Sequence, residues 1–213
     1  MVAEPPILIA GTALAERDWV AARLAELGRS WAGDDVRVVG TVWWYMASST
    51  LLGPPLRMLS DTGVAPDLAL SSVTCAVRPD GGLASVQIGA TVGGPEEFAA
   101  SVRATVTSIV DTVAAVSGAG APALWAIAAD ALGNCALDAD RAAGPALALR
   151  IAEAVGDVMP TPRFVEVDGR TFVHRTSCCL IYETAGAGKC ISCPRRLPDE
   201  RAGLLTEFVR RGR

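Results

Sequence analysis

Four of the six cysteines in this 213-residue chain fall within one short stretch, as Cys178, Cys179, Cys190 and Cys193, in the spacing C-C-x10-C-x2-C. Iron–sulfur clusters, zinc sites and paired disulfides all use four cysteines, so the number alone leaves three fillings open. Cys190-Ile191-Ser192-Cys193 is a chelate spacing, because two intervening residues let a turn bring both sulfurs to one metal. Gly186-Ala187-Gly188 lies just before it and supplies a flexible approach. Cys178-Cys179 is more demanding. Neighbours in an extended chain point to opposite faces. Both sulfurs can ligate only if the backbone bends there, or if each reaches a different atom of a cluster. A binuclear centre accommodates that more readily than one tetrahedral zinc. Zinc would call for two C-x2-C knuckles, and one is present. A vicinal disulfide would be strained. Cys75 and Cys135 stand alone and read as small buried hydrophobes.

Compartment bears on the choice. Met1 to Thr12 lacks a basic segment followed by an apolar run and a small-residue cleavage site. The reading is therefore cytoplasmic, where clustered cysteines favour a metal over disulfides. The net charge of −4 hides an asymmetry: from Arg163 onward ten basic residues face six acidic ones. The cysteine segment is the basic end of an acidic protein. That is either an ordinary solvated surface or a rim suited to an anionic ligand, an acidic partner or an anionic membrane surface. The basic residues lack interleaved aromatics, which argues against nucleic acid as a partner. No glycine-rich phosphate loop or dinucleotide fingerprint stands between a strand and a helix. Electrons, if the protein moves them, must come from a partner.

The pattern along the chain predicts an α+β fold, amphipathic helices packed on a small antiparallel sheet, with a short C-terminal lobe. Thr12 to Trp31 reads as one amphipathic helix, with Leu14, Val20, Leu24, Leu27 and Trp31 on a stripe. Val38 to Leu56 carries no charge and meets the length test for a membrane span. Its glycine, serine and threonine content favours a central buried helix instead, bearing Trp43, Trp44 and Tyr45 and ending at Gly53-Pro54-Pro55. No transmembrane segment is expected, and Pro54 to Ser60 reads as a separate short helix. Leu68–Val77 and Leu83–Thr91 read as strands around the turn Arg78 to Gly82. Helices are expected from Pro95 to Val116, from Pro122 to Leu137, from Gly144 to Val155 and from Pro198 to Val209. Asp168-Gly169 between Phe164–Val167 and Arg170–Val173 signals a hairpin. With Pro160 and Pro162 as a linker, the expected division is a core domain over 1–160 and a metal-binding segment over 161–213.

The cysteine pattern resembles, ligand for ligand, that of the FhuF-like ferric siderophore reductase family. Arg175 before the cysteine pair, Leu180 and Tyr182 after it, and the glycine-rich approach to Cys190 are also similar. So is the aromatic stretch Trp44 to Pro55. The resemblance implies a [2Fe–2S] cluster held by Cys178, Cys179, Cys190 and Cys193. It also implies one-electron reduction of Fe(III) bound by a siderophore, in the cytoplasm. An external donor such as a ferredoxin or flavin reductase would supply the electron. Siderophores hold ferric iron through hard, anionic oxygens, and the same cage holds softer ferrous iron far less tightly, so reduction releases the metal. Arg175, Lys189, Arg195 and Arg196 flank the cysteines and would either steer an anionic chelate, tune the cluster by charge, or be exposed charges with no role. Tyr182 and Phe172 are expected to pack over the cluster. His174, the sole histidine, reads as structural or surface, with proton-coupled electron uptake as the other reading. Two other functions fit the same residues: a non-enzymatic [2Fe–2S] sensor or carrier, and a zinc-stabilised interaction module.

Overall fold

A computed structural model describes residues 6–31 and 33–212. Residues 1–5, which were part of the leader argument, lie outside the described residues. The fold is α+β. Among the described residues it comprises six α-helices, a three-stranded antiparallel sheet and a two-stranded hairpin.

Two long helices form the centre. α2 (Val36–Thr62) packs most extensively against α4 (Ala121–Ala139). Asp35 caps the start of α2, its carboxylate accepting from the backbone N–H of Arg37 at 2.8 Å. Gly63 ends the helix in the left-handed region, with φ 70° and its N–H on the carbonyl of Leu59. The indoles of Trp43 and Trp44 are buried, and each N–H finds a backbone acceptor. Trp43 donates to the carbonyl of Gly81 at 3.0 Å and Trp44 to that of Leu124 at 2.8 Å. Buried indoles without partners would be costly, so these bonds fix both depth and rotation of the helix.

α2 does not end at Gly53-Pro54-Pro55, and no separate helix follows; it runs through both prolines. The two rings remove the N–H groups that would bond the carbonyls of Thr50 and Leu51, and each carries the steric cost of an interior proline. Their fixed φ is nevertheless helical. Leu51, Leu52, Pro55 and Leu56 are all buried on that stretch, and their packing keeps the helix continuous.

α3 (Pro95–Ser117) begins as expected, with proline in its first turn and Glu96 and Glu97 at its positive end. Phe98, Val102, Val106, Ile109 and Val113 lie in the core. Among the described residues, α3 is the one helix long and apolar enough to cross a membrane, with mean hydropathy 1.3 over a stretch of which 44% is buried within the fold. α1 (Arg17–Trp31) and α5 (Gly144–Val155) pack against α3. The expected helix from Thr12 is divided: Gly11–Ala15 forms a 3-10 turn, and Glu16 is extended before α1 starts.

The sheet is β1 (Ile7–Ala10), β2 (Val73–Val77) and β3 (Leu83–Ile88), in that order, with Cys75 opposite Ile9 and Val86. The strands are shorter than the sequence suggests, since Leu70–Ser72 is a 3-10 turn. The hairpin β4 (Phe164–Val167) and β5 (Arg170–Val173) forms in the expected register, with Phe164 opposite Val173. Asp168 and Gly169 have φ 49° and 76°, the pair of positive values that a type I′ turn requires. β5 rests on α4, and the closing helix α6 (Pro198–Arg211) rests on β4. The hairpin thus delivers the chain from β5 onto the α2–α4 pair, where the cysteines begin.

Candidate metal centre

The segment from His174 to Leu197 holds little regular structure beyond a 3-10 turn at Ile181–Glu183. Polar contacts to the helices fix it instead. Asp130, on α4, is 2% exposed. Its carboxylate accepts from the backbone N–H of Thr176 at 3.1 Å, from that of Ser177 at 3.3 Å and from the Thr176 hydroxyl at 3.3 Å. Ser177 Oγ donates to the carbonyl of Ala123 at 3.2 Å. The two residues before the cysteine pair are therefore tied to one helix. Burial holds the Asp130 carboxyl above its usual range, opposed by those N–H donors and by Arg175.

Arg175 is 5% exposed. Of its three expected readings, burial excludes the exposed charge without a role; the side chain points into the site. Its guanidinium lies over the Tyr45 ring at 4.9 Å, and Nε stands 3.6 Å from Asp130 Oδ2. Nη1 is 3.5 Å from Cys190 Sγ and 3.8 Å from Cys179 Sγ. Burial works against its charge, yet the neighbouring Cys179 sulfur and the Tyr45 phenol keep its pKa raised.

The backbone bend that adjacent ligands require is present. Leu180 has φ 61° and ψ 8°, a left-handed conformation rare for a leucine, and its side chain is buried in the core. Its N–H bonds the Cys178 sulfur, which also takes a bond from Cys179; the Cys179 bond is the larger cause drawing the Cys178 thiol down to about 7. Cys190 moves the opposite way, raised first by its bond with Cys179 and then by partial covering.

The sulfurs fall into two neighbouring pairs. Cys178 and Cys193 are 3.8 Å apart. A tetrahedral centre with metal–sulfur bonds of about 2.3 Å sets its sulfurs about 3.8 Å apart. Cys179 and Cys190 share Arg175, whose Nη1 approaches both sulfurs. Among the described residues, no three cysteine, histidine or acidic groups gather around a single point that could hold one ion. Two pairs joined through adjacent residues suit a group with two metal atoms better than a single zinc. A second observation agrees: Nη2 of Arg175 is buried without a hydrogen-bond partner, while Nε faces the Asp130 carboxylate. An unpartnered guanidinium N–H beside the Cys179 and Cys190 sulfurs suits an anionic, sulfide-rich group.

Residues 175–195 match the FhuF 2Fe-2S C-terminal domain. The likeness covers 21 of the 213 residues, those of the cysteine segment. No curated protein matches the chain. The FhuF domain spans all four clustered cysteines, and its cofactor is a [2Fe–2S] cluster. The match supports an iron–sulfur protein whose clustered cysteines lie in a [2Fe–2S] domain.

The remaining candidates spread over the rim. Lys189 and Arg195 are exposed, and both approach the Tyr182 ring, at 5.7 Å and 5.8 Å. Arg196 folds back on the loop, donating to the carbonyl of Cys190 at 2.9 Å, to that of Lys189 and to Glu200. Phe172 does not cover the sulfurs; it packs edge-on against Phe208 at 6.2 Å, beside Arg170. His174 stands 3.0 Å from Arg201 and donates its backbone N–H to the carbonyl of Arg163. A cleft of about 240 Å³ adjoins the centre, lined by Arg141, Arg170, Arg175, Asp138, Ile191 and Ser192 among others. The reading of the sequence passed over Asp130, Arg141 and Arg170. Asp130 had a signal: it is the one charge between Ala121 and Leu137. Cys75 and Cys135 lie apart in the core as free thiols, and burial raises them to about 11 and about 12.

Proposed function

We propose that the protein reduces siderophore-bound Fe(III) to Fe(II) in the cytoplasm, with Cys178, Cys179, Cys190 and Cys193 as the ligands of its cluster. In this reading Cys178 and Cys193 would hold one iron and Cys179 and Cys190 the other. When bound, the cluster supplies one electron at a time, received from an external donor such as a ferredoxin or flavin reductase. The observation that carries the reading is the unequal covering of the sulfurs. Cys179 and Cys193 are buried and Cys178 is half-buried, whereas Cys190 is exposed. A bulky chelate that cannot enter the fold can approach from that side.

The chain's own residues then have distinct tasks. Lys189 and Arg195, beside Tyr182, offer positive charge to an anionic chelate at the surface. Arg141 and Arg170 offer it in the adjoining cleft, against the single carboxylate of Asp138. Arg196 holds the Lys189–Cys190 turn by its carbonyls. Asp130 and the buried face of Leu180 hold the other cysteine pair.

The test is an anaerobic mixing experiment. Chemically reduced protein, followed by its visible absorption, is expected to reoxidise on addition of ferric siderophores, with ferrous iron captured by a chromogenic chelator. No reoxidation by hydroxamate, catecholate or carboxylate complexes would overturn the reductase reading and leave a sensor or carrier. Purified protein that is colourless and holds zinc would overturn the cluster assignment itself.

A further inference from the structure

Asp130 and Arg175 form a buried ion pair whose positive member alone faces the sulfurs. The guanidinium is held on three sides: by the Asp130 carboxylate, by the Tyr45 ring and by the sulfurs of Cys179 and Cys190. Both charged side chains are 4% exposed, so water screens neither. Charge and hydrogen bonds at the sulfurs set the potential of an iron–sulfur centre, because both stabilise the more negative, reduced form. At the distances present, the two charges act with opposite sign. Arg175 touches sulfur directly and favours reduction. Asp130 stands behind it and offsets part of that charge.

We propose that Asp130 and Arg175 act as a matched pair of positioning residues that set the reduction potential of the centre from opposite directions. Asp130 also anchors the backbone of Thr176 and Ser177, so one carboxylate both places the ligand turn and moderates the charge beside it. The effect is one-sided. Arg175 donates to Cys179 and Cys190, while Cys178 faces Cys193. Arg175 would therefore favour added negative charge on the Cys179–Cys190 side. Cys190 opens that side to solvent, where an anionic chelate would approach. This inference rests on the four cysteines being the cluster ligands.

The test is a redox titration of the cluster-loaded full chain, followed by visible absorption and electron paramagnetic resonance. Arg175→Gln should lower the potential, so that the reduced-to-oxidised ratio at a fixed potential falls about tenfold, about 59 mV for one electron. Asp130→Asn keeps an acceptor for the backbone N–H groups and removes the charge; it should raise the potential. The double variant should lie between the two. Should Arg175→Gln fail to load, Arg175→Lys keeps the charge without the planar fork and should shift the potential down by less. Single variants that move the potential in the same direction, or leave it unmoved with the spectrum intact, would overturn the proposal. A wild-type protein without cluster absorption would instead overturn the ligand assignment, so the two failures are distinguishable.

Discussion

The α2–α4 centre and the cysteine segment are held together by different physics. In the helical centre, burial of apolar surface does most of the work, and the few polar contacts serve the indoles of Trp43 and Trp44. From His174 to Leu197 the backbone is largely irregular, and its position depends on pairwise bonds to residues far away in sequence, such as Asp130 and Ala123. The first kind of order is distributed, so no single contact decides it. The second is concentrated, so one carboxylate places a whole turn. Damage to either region should therefore look different.

The largest effect is expected from the four proposed ligands. Cys→Ser at position 178, 179, 190 or 193 should abolish or strongly weaken the visible spectrum, whereas Cys75→Ser should leave it intact. Retention of a normal spectrum in any of the first four would break the division between site thiols and core thiols. Next comes the centre itself. Trp44→Ala removes a fully buried indole and its bond to Leu124, and should cost about 3–5 kcal/mol in urea unfolding of the metal-free protein. Asp130→Ala leaves two backbone N–H groups without an acceptor, at about 1–3 kcal/mol each. Its effect should be local: hydrogen exchange should quicken at Thr176 and Ser177 while α3 stays protected. Equal quickening in α3 would erase the contrast between distributed and concentrated order.

The last expected effect is a pH dependence. The ordinary thiol value is 9.0, and burial lifts Cys75 to about 11 and Cys135 to about 12. The folded state keeps protons there that the unfolded chain has lost. Stability is therefore fully present below pH 9 and falls as pH rises through 11 to 12. Replacing both by alanine should flatten that alkaline decline, measured as the urea midpoint between pH 8 and pH 11.

The same contrast explains what the sequence discloses. The α3 stripe from Phe98 to Val113, the Gly144-Pro145 start of α5 and the Asp168-Gly169 turn were legible, because each is encoded locally. α2 misled at Pro54-Pro55, since local propensity speaks against a helix there and only tertiary packing speaks for it. β1 gave no alternation to read: Ile7 and Leu8 are both about two-thirds exposed, at 66% and 65%, as the strand runs along the sheet edge. In the site, the four sulfurs announced themselves by spacing. Asp130 showed only as a lone charge on an apolar helix; its partners lie 46 and 47 positions away, so nothing local says what it holds. For Arg175 the position is legible but not the direction, and direction decides between an exposed charge and a buried donor to sulfur.

Leu180 links the two kinds of order. Its backbone takes a shape that a leucine adopts reluctantly, at an expense of order 1–3 kcal/mol, while its side chain is locked among core residues. The turn after the cysteine pair thus borrows rigidity from the helices. Groups held this way shift little when the charge between them changes, and a small nuclear rearrangement keeps the barrier to electron exchange low. In the proposed reductase, the core, remote from solvent, would then set how fast the surface gives an electron away.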